Sequence, residues 1–313
     1  MRWTDVFISL LAAAFCGAAF AQTSDFAPPR GALLAGHIGE VKWEERLLAA
    51  TSTDGLTFTR TNNIITDQAR SPNLVVANGM LYLYYITAVG NRQGTLAVAI
   101  SSDQGKTWIF KQAEVRNGER LILPYAPDIR ILENGRFRLY FNDARQVPRI
   151  VYADGEDGIH FTWAGTLYMR PGRYGSLMIG SLTGAVGGVW HTYLRDVNAD
   201  FFGVVSHGFS SDGDSFSFSS DPRISFSNGK EPCHPTSAVS LGNGRSRFFG
   251  SPNQAPGGVR SFVTSDGIEF EPEAGIRLAP DSTSGLEKDL VKDAAVVKLS
   301  DGSYFMVYVT NTP

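Results

Sequence analysis

Cysteine is scarce in this sequence, which contains only Cys16 and Cys233. Cys16 lies in an apolar segment, residues 6–20, that follows a basic residue and closes on Ala19-Phe20-Ala21. This is the layout of a cleavable secretory signal, so we predict a signal peptide over residues 1–21. Its removal leaves Cys233 alone, and an internal disulfide is excluded even in a compartment that permits one. Stability must therefore come from packing.

Basic runs and long apolar runs are also missing. The 28 Lys and Arg against 31 Asp and Glu give a net charge of −3, which argues against a nucleic-acid partner. The apolar segment at the amino end is too short and too rich in alanine for a membrane span. We therefore expect a secreted or periplasmic monomer that has no membrane contact after signal cleavage.

Metal-binding spacings are absent as well. The five histidines are scattered, and neither Cys-x-x-Cys nor His-Glu-x-x-His occurs. A dedicated transition-metal site is not expected, and we predict no cofactor. The sequence leaves open a calcium ion in the interior, bound by carbonyl groups and water.

Glycine is abundant, with 33 residues, and much of it belongs to a repeat. Five short segments each place an Asp and a Gly ahead of an aromatic residue. They span residues 52–58, 101–108, 157–161, 211–216 and 265–270. Their lead residues Asp54, Asp103, Asp157, Asp212 and Asp266 are 49, 54, 55 and 54 positions apart. A period of this kind indicates a repeat architecture. An Asp and a Ser before Gly favour a self-bonded turn, so we assign these segments a structural role.

A β-hairpin pattern lies between successive turns. Residues 72–76 and 81–85 flank Asn78-Gly79, and residues 127–131 and 137–141 flank Asn134-Gly135. The same pattern recurs over residues 176–194, 235–249 and 294–309. One further strand runs from each hairpin into the next turn, which gives four strands per unit.

Five such units predict an all-β fold, a five-bladed β-propeller over residues 45–313, preceded by a lead-in over residues 22–44. The last hairpin has no Asp-Gly segment after it. Residues 46–60 should therefore supply the two outer strands of the final blade, so that the two ends of the chain pair and no open edge remains.

The segment Ser101 to Trp108 resembles the Asp-box of bacterial sialidases. The count of five units instead resembles the five-bladed glycosidase clan of arabinanases, xylosidases and fructosidases, since sialidases have six blades. The resemblance covers roughly residues 45 to 310 as a repeat pattern. It implies a carbohydrate substrate and a base, a pKa-setting Asp and a Glu acid contributed by successive blades.

Three carboxylates lie at the predicted starts of innermost strands, where the mouth of a propeller channel forms. They are Asp128, Glu231 and Asp293, and glycoside hydrolysis needs two such groups. By the resemblance, Asp128 matches the pKa-setting residue, but Asn73 stands where the basic Asp is expected. Asparagine does not accept a proton at neutral pH, so either Asp293 serves as the base or the family mechanism does not operate.

Polar and aromatic residues on the same rim predict how a sugar would be held. Tyr125 suits stacking on a sugar face, and several arginines suit a carboxylate-bearing sugar such as a sialoside or a uronate. The predicted substrate-binding residues are Arg70, Asn73, Tyr125, Asp143, Arg145, Arg195 and His234. Each also has a structural interpretation, as a solvated arginine, a packed tyrosine or a hydrogen-bonded core histidine.

Two functions follow from this pattern. The first is a secreted glycoside hydrolase, and the alternative is a noncatalytic carbohydrate-binding propeller. They differ in whether Asp128, Glu231 and Asp293 converge across one pocket with carboxyl groups roughly 5 to 10 Å apart.

Overall fold

The structure of the protein is a computed structural model that describes residues 23–32, 43–89, 92–142, 149–169, 177–196, 204–227, 232–252 and 255–313. Every regular element in these ranges is a β-strand. The predicted signal peptide, residues 1–21, lies outside them. Within the same ranges, no stretch forms a helix of the length and apolarity that a membrane crossing requires.

The described strands form five sheets, four with four strands and one with six. Numbered along the chain, the strands are β1 (Glu45–Ser52), β2 (Thr59–Asp67), β3 (Ala69–Ala77), β4 (Met80–Val89), β5 (Arg92–Ser101), β6 (Ile109–Gln112), β7 (Glu114–Asn117), β8 (Arg120–Ile122), β9 (Tyr125–Ile131), β10 (Phe137–Asn142), β11 (Arg149–Gly155), β12 (His160–Met169), β13 (Leu177–Val186), β14 (Val189–Asp196), β15 (Val204–Ser210), β16 (Ser217–Ser219), β17 (His234–Gly242), β18 (Arg245–Ser251), β19 (Arg260–Thr264), β20 (Glu271–Pro272), β21 (Lys292–Lys298) and β22 (Tyr304–Asn311).

Each sheet is one blade of a five-bladed β-propeller. Blade 1 has the order β3-β4-β5-β6, blade 2 β9-β10-β11-β12-β7-β8, blade 3 β13-β14-β15-β16, blade 4 β17-β18-β19-β20 and blade 5 β21-β22-β1-β2. The first strand of each blade contacts the first strand of the next, from β3 through β9, β13, β17 and β21 back to β3. The all-β five-bladed fold predicted from the repeats is confirmed.

Blade 5 combines the two ends of the described propeller. Strand β1 pairs antiparallel with β22 along its whole length, from Glu45 opposite Asn311 to Ser52 opposite Tyr304. Part of the lead-in lies across the junction with blade 1, because Asp25 N donates to Phe110 O at 2.8 Å and Asp67 N donates to Pro29 O at 3.1 Å.

Blade 2 contains a hairpin that the four-strand pattern did not predict. Strands β7 and β8 pair with each other, and β7 runs parallel to β12 at the outer edge of the sheet. Val115 and Ile122 of this hairpin are buried in the core that blades 1 and 2 share. The prediction of four strands per blade is therefore incomplete for blade 2.

The five Asp-Gly turns join the third and fourth strands of each blade, counted from the channel, and they are held by their own side chains. Asp54 Oδ1 accepts hydrogen bonds from Leu56 N at 2.8 Å and Thr57 N at 2.9 Å, and Ser52 Oγ accepts one from Gly55 N at 2.9 Å. In the fourth and fifth turns the hydroxyl comes from Ser210 and Thr264. These bonds hold the pKa of Asp54 at about 2, chiefly through the Thr57 and Leu56 N–H groups. The turns are structural, as predicted.

Candidate functional site

Every innermost strand carries a register shift near its beginning, at the end of the channel that we call the mouth. Three non-glycine residues at these bulges have left-handed backbone, Ser71 with φ 53°, Ala126 with φ 50° and Asp293 with φ 48°. Such conformations are uncommon outside glycine and occur at functional sites. Bulges also re-aim the side chains that follow them. The described part of the mouth thus combines a bulge in every innermost strand with left-handed backbone at three positions.

Asp128 follows the bulge of β9 and is 3% exposed. Its Oδ1 lies 3.1 Å from Arg130 Nη2, two positions along the same strand and therefore on the same face. Asn73 of the neighbouring blade is also buried, and its Oδ1 accepts a hydrogen bond from Ile129 N at 3.2 Å. The first two blades thereby hold Asn73 and the Asp128 strand in direct contact.

A channel cavity of about 390 Å³ continues from this point between the innermost strands. Asn73 and Arg130 contribute to its wall, together with Ser237 of β17 and Lys298 of β21. The cavity places an amide, a guanidinium group and a hydroxyl along the channel. Its lining includes residues of β3, β9, β17 and β21.

Asp293 belongs to a network of charges around Glu45. Lys292 Nζ lies 2.7 Å from Glu45 Oε1 and 3.9 Å from Asp293 Oδ2, and Arg70 Nε lies 3.1 Å from Glu45 Oε2. The Arg70 guanidinium also stacks 4.4 Å above the ring of Trp43. Burial opposes the charged form of Lys292, but the Asp293 and Glu45 carboxylates outweigh it and raise the Lys292 pKa. The network brings blade 1 and blade 5 together at the mouth.

His234 and Tyr125 also lie where innermost strands begin. His234 is buried and faces Ser251 in the register of blade 4, and Ser251 Oγ accepts a hydrogen bond from Asp293 N at 3.2 Å. Because Ser251 is the register partner of His234, this bond places the beginning of β17 near Asp293. Tyr125 is 42% exposed, so its ring is available to a ligand.

The structure therefore brings Arg70, Asn73, Tyr125, Asp128, His234 and Asp293 to the beginnings of the innermost strands. Glu231, Asp143 and Arg145 lie outside the described residues, and of Arg195 only the backbone is described. In the sequence Glu231 precedes β17 of blade 4, and its role stays a prediction.

The sequence pattern placed Lys292 beside Asp293 at the mouth but did not single out Glu45, Arg130 or Trp43. For Arg130 the sequence held a signal, because positions two apart on a strand share a face and Arg130 is two positions after Asp128. For Glu45 it held none, because Arg70 and Lys292 are far from it in the sequence.

Among the described residues, no group of three or more His, Cys, Asp or Glu side chains is arranged to hold a metal ion. A calcium ion bound by carbonyl groups and water would not need such a group. Its presence in the channel stays a prediction.

No protein-family model matches the chain, and no curated protein matches it. Solved structures do. A thermostable family-43 glycoside hydrolase is 15% identical, with a TM-score of 0.57 over 78% of this chain and 88% of that one. An endo-1,4-β-xylanase from Bacteroides thetaiotaomicron is 17% identical, with a TM-score of 0.55 over 76% and 82%.

An N-acetylgalactosamine deacetylase from F. plautii, solved with blood group B trisaccharide, is 12% identical, with a TM-score of 0.56 over 81% of each chain. At such identities the likeness shows the fold, and a fold hosts more than one chemistry. This chain has the five-bladed β-propeller fold of solved glycoside hydrolases.

Proposed function

We propose that the protein is a glycoside hydrolase whose substrate binds at the mouth of the channel. The observation that carries the proposal is Asp128, a buried carboxylate held by Arg130 beside Asn73 at the beginning of an innermost strand. A carboxylate kept in a fixed, dry position can set the electrostatics around the acid and the base that hydrolysis of a glycosidic bond requires. The shared fold with solved glycoside hydrolases agrees with this assignment.

In this proposal the three carboxylates have different roles. Glu231 protonates the leaving oxygen, Asp293 activates water or attacks the sugar carbon, and Asp128 sets the electrostatics around them. Asn73 binds a sugar hydroxyl, because its amide cannot serve as a base. Lys292 supplies a positive charge to both Asp293 and Glu45 and so holds two carboxylates close together.

An acidic substrate is a further part of the proposal. Among the described residues of the mouth, the cations Arg70, Lys292 and Arg130 are matched by the carboxylates Glu45, Asp293 and Asp128. A preference for a uronate or a sialoside therefore depends on Arg145 and Arg195. Charge reversal at either position should reduce turnover of acidic glycosides and leave neutral ones unchanged.

Export is also proposed, from the apolar segment at the amino end. Amino-terminal sequencing of the protein purified from the culture medium or periplasm should begin at Gln22. A start at Met1 in the exported fraction would contradict the proposed cleavage.

A noncatalytic glycan-binding propeller is the second candidate. The observation that favours it is Asn73, a neutral amide that already accepts a backbone hydrogen bond in the blade where the resemblance implies a base. In that case the same mouth would hold a sugar through Tyr125 and the polar rim without cleaving it.

Hydrolysis of a panel of chromogenic sialosides, arabinosides, xylosides and fructosides separates the two. The wild-type chain should cleave at least one member, and Glu231→Gln should lower kcat by about 10²-fold or more, the range of general acid-base catalysis. Asp128→Asn and Asp293→Asn should do the same.

The matched control is Asp301→Asn, which changes the same functional group in the exposed β21–β22 turn. It should retain full activity. If the panel stays silent while the protein still binds a glycan, the hydrolase proposal fails and the binding propeller is preferred.

A further inference from the structure

A cavity of about 480 Å³ lies at the outer edge of the ring, away from the mouth. Its walls come from Arg30 of the lead-in, from Asn62 and Asn63 of β2, and from Lys106 and Trp108 next to β6. We call it the seam groove, because it lies where blade 5 meets blade 1. Strands β2 and β6 are the outermost strands of their sheets, whereas the mouth is formed by the innermost ones.

A wide bulge in β2 presents two amides to the seam groove. Leu48 pairs with Ile64 and Ala50 with Arg60, so residues 61–63 stand opposite Ala49 alone. Asn62 at the centre has a left-handed φ of 59°, and both asparagines are exposed. A bulge turns side chains out of the ladder, and each amide offers donors and an acceptor to a hydroxylated ligand.

Trp108 provides a fixed aromatic surface in the same groove. Its indole is partly exposed and leans on Phe305, with ring centroids 6.2 Å apart. The backbone before it is fixed by the Asp-Gly turn, since Thr107 Oγ1 donates to Asp103 Oδ2 at 2.6 Å. An indole held in this way offers a preorganised apolar face to the C–H groups of a sugar ring.

Among the described residues that line the seam groove, the charged side chains all have one sign. They are the exposed cations Arg30 and Lys106, and no carboxylate belongs to that described lining. Arg30 is anchored by Nη1, which donates to Ile65 O at 3.1 Å. A guanidinium group fixed at one nitrogen keeps its others for a carboxylate ligand.

From this combination we infer that the seam groove binds a short stretch of an acidic polysaccharide. A uronate ring lies on the Trp108 indole, the Asn62 and Asn63 amides bind its hydroxyls, and Arg30 and Lys106 bind carboxylates. A sugar explains the indole and the paired amides together, which a purely ionic ligand does not use. The inference concerns a binding site separate from the mouth and does not depend on hydrolysis there.

Calorimetric titration of the full chain tests this assignment. The probes are a tetragalacturonate, a neutral galactotetraose of the same length, and polyglutamate as an acidic peptide. The acidic sugar should bind most tightly, and Lys106→Glu should weaken its binding about tenfold or more, as expected for a lost charge-assisted contact. Asn62→Asp, which changes an exposed amide to a carboxylate, should weaken it as well.

The matched control is Lys288→Glu, the same charge change at an exposed lysine outside the groove. The inference is overturned if Lys288→Glu weakens binding as much as Lys106→Glu, or if the neutral sugar or polyglutamate binds as tightly as tetragalacturonate. Asp128→Asn should leave binding at the seam groove intact, and Lys106→Glu should leave hydrolysis at the mouth intact. The proposal for each site can therefore be refuted without affecting the other.

Discussion

His191 and His207 lie side by side on β14 and β15, with Nδ1 of the first 2.8 Å from Nε2 of the second. Both are buried, and such a contact requires at least one neutral ring. Burial, followed by the neighbouring His207, lowers the pKa of His191 to about 4. Burial also lowers the pKa of His207, while Asp266 faces His191 and Asp221 faces His207 with opposing effects.

This pair predicts acid sensitivity. An unfolded histidine has a pKa of about 6.5, so between that pH and about pH 4 the unfolded chain binds more protons than the folded one. The contribution of the pair to stability is complete above pH 6.5 and declines as the pH falls towards 4. Thermal unfolding from pH 8 to 4 should show a steep fall in Tm that a His191→Gln/His207→Gln double variant flattens.

The exposed His160, whose Nδ1 lies 2.7 Å from Asp157 Oδ2, is the control. His160→Gln should change the slope of Tm against pH much less than the double variant does, because solvent screens a pair this exposed. If the Tm of the double variant falls as steeply with pH as that of the wild-type chain, groups other than this histidine pair cause the acid sensitivity.

Glu287 is a second residue at which a single change has a large expected effect. It is 1% exposed and accepts hydrogen bonds from Arg60 Nε at 2.6 Å, from Tyr308 Oη at 2.5 Å and from Asp281 N at 3.1 Å. Glu287→Gln removes the charge that pairs with Arg60, so the guanidinium keeps only neutral acceptors such as Ala279 O. We expect the free energy of unfolding to fall by about 3 kcal/mol, as for other broken buried pairs.

Glu114→Gln tests whether burial is the cause. Glu114 pairs with Arg116 at 2.8 Å, but the two side chains are 32% and 52% exposed, and pairs at the surface contribute about 0–1 kcal/mol. Urea denaturation of both variants measures the difference. Equal losses of unfolding free energy in the two variants would show that burial does not make the Glu287 ion pair more stabilising.

At the scale of elements, the Asp-Gly turns also connect neighbouring blades. Tyr84 Oη of blade 1 donates to Gly158 O of blade 2 at 2.6 Å, and Tyr193 Oη of blade 3 donates to Gly267 O of blade 4 at 2.7 Å. The ring of Phe305 in blade 5 lies against Gly105 of blade 1. These three turns are therefore part of the packing surfaces between blades.

Gly105→Ala should separate the two reasons for glycine in these turns. Gly105 has φ 83°, and an added Cβ would meet the Phe305 ring. Gly79 has a similar φ of 74° but nothing within 4 Å of an added Cβ. Gly79→Ala should cost about 1–2 kcal/mol for the left-handed backbone alone. Gly105→Ala should cost about 1–3 kcal/mol more, because it also overpacks the interface.

Chemical denaturation of both variants measures this difference. Equal costs would mean that the Phe305 contact adjusts without loss and that backbone conformation alone selects glycine.

The fold was predictable because its repeat rests on local bonds. An Asp and a hydroxyl residue two positions before it satisfy their own turn, so each turn is visible in a few letters of sequence. The β7–β8 hairpin had a signal too, Asn117-Gly118, but its strands of four and three residues are too short to show alternation. Its burial depends on Val115 and Ile122 reaching a core built by other blades.

The candidate site was predictable in its positions and not in its contacts. Strand starts placed Asp128, Asn73 and Asp293 at the mouth. The partners that hold them, above all Glu45 with Lys292, come together through the pairing of β1 with β22; the repeat predicted that pairing but not the contact of these two side chains. An ion pair between residues far apart in the sequence can be identified only once the fold that brings them together is known.

At the scale of the whole molecule, blade 5 depends on a strand from each end of the propeller. Leu47, Ala49 and Ala50 of β1 are buried against β22 and neighbouring cores. A chain that begins at Gln68 would expose the edge of β22. We expect it to lose cooperative thermal unfolding and to bind hydrophobic dyes, as partly packed states do.

A peptide of residues 43–67 should restore the cooperative transition when it is added to that shortened chain, by supplying the missing strands. The same peptide with Leu47→Asp, which places a charge at a fully buried position, should not. A shortened chain with an unchanged cooperative transition would show that β1 and β2 are dispensable.

The pairing of β1 with β22 also dictates an order of events during biosynthesis. Strand β22 leaves the ribosome about 260 residues after β1, and at ~5–20 residues per second the wait is on the order of tens of seconds. Until then the edge of β1 that β22 will cover has no partner, and the channel lacks one of its five walls. A nascent chain threaded through a translocon would therefore complete its propeller only after β22 has crossed.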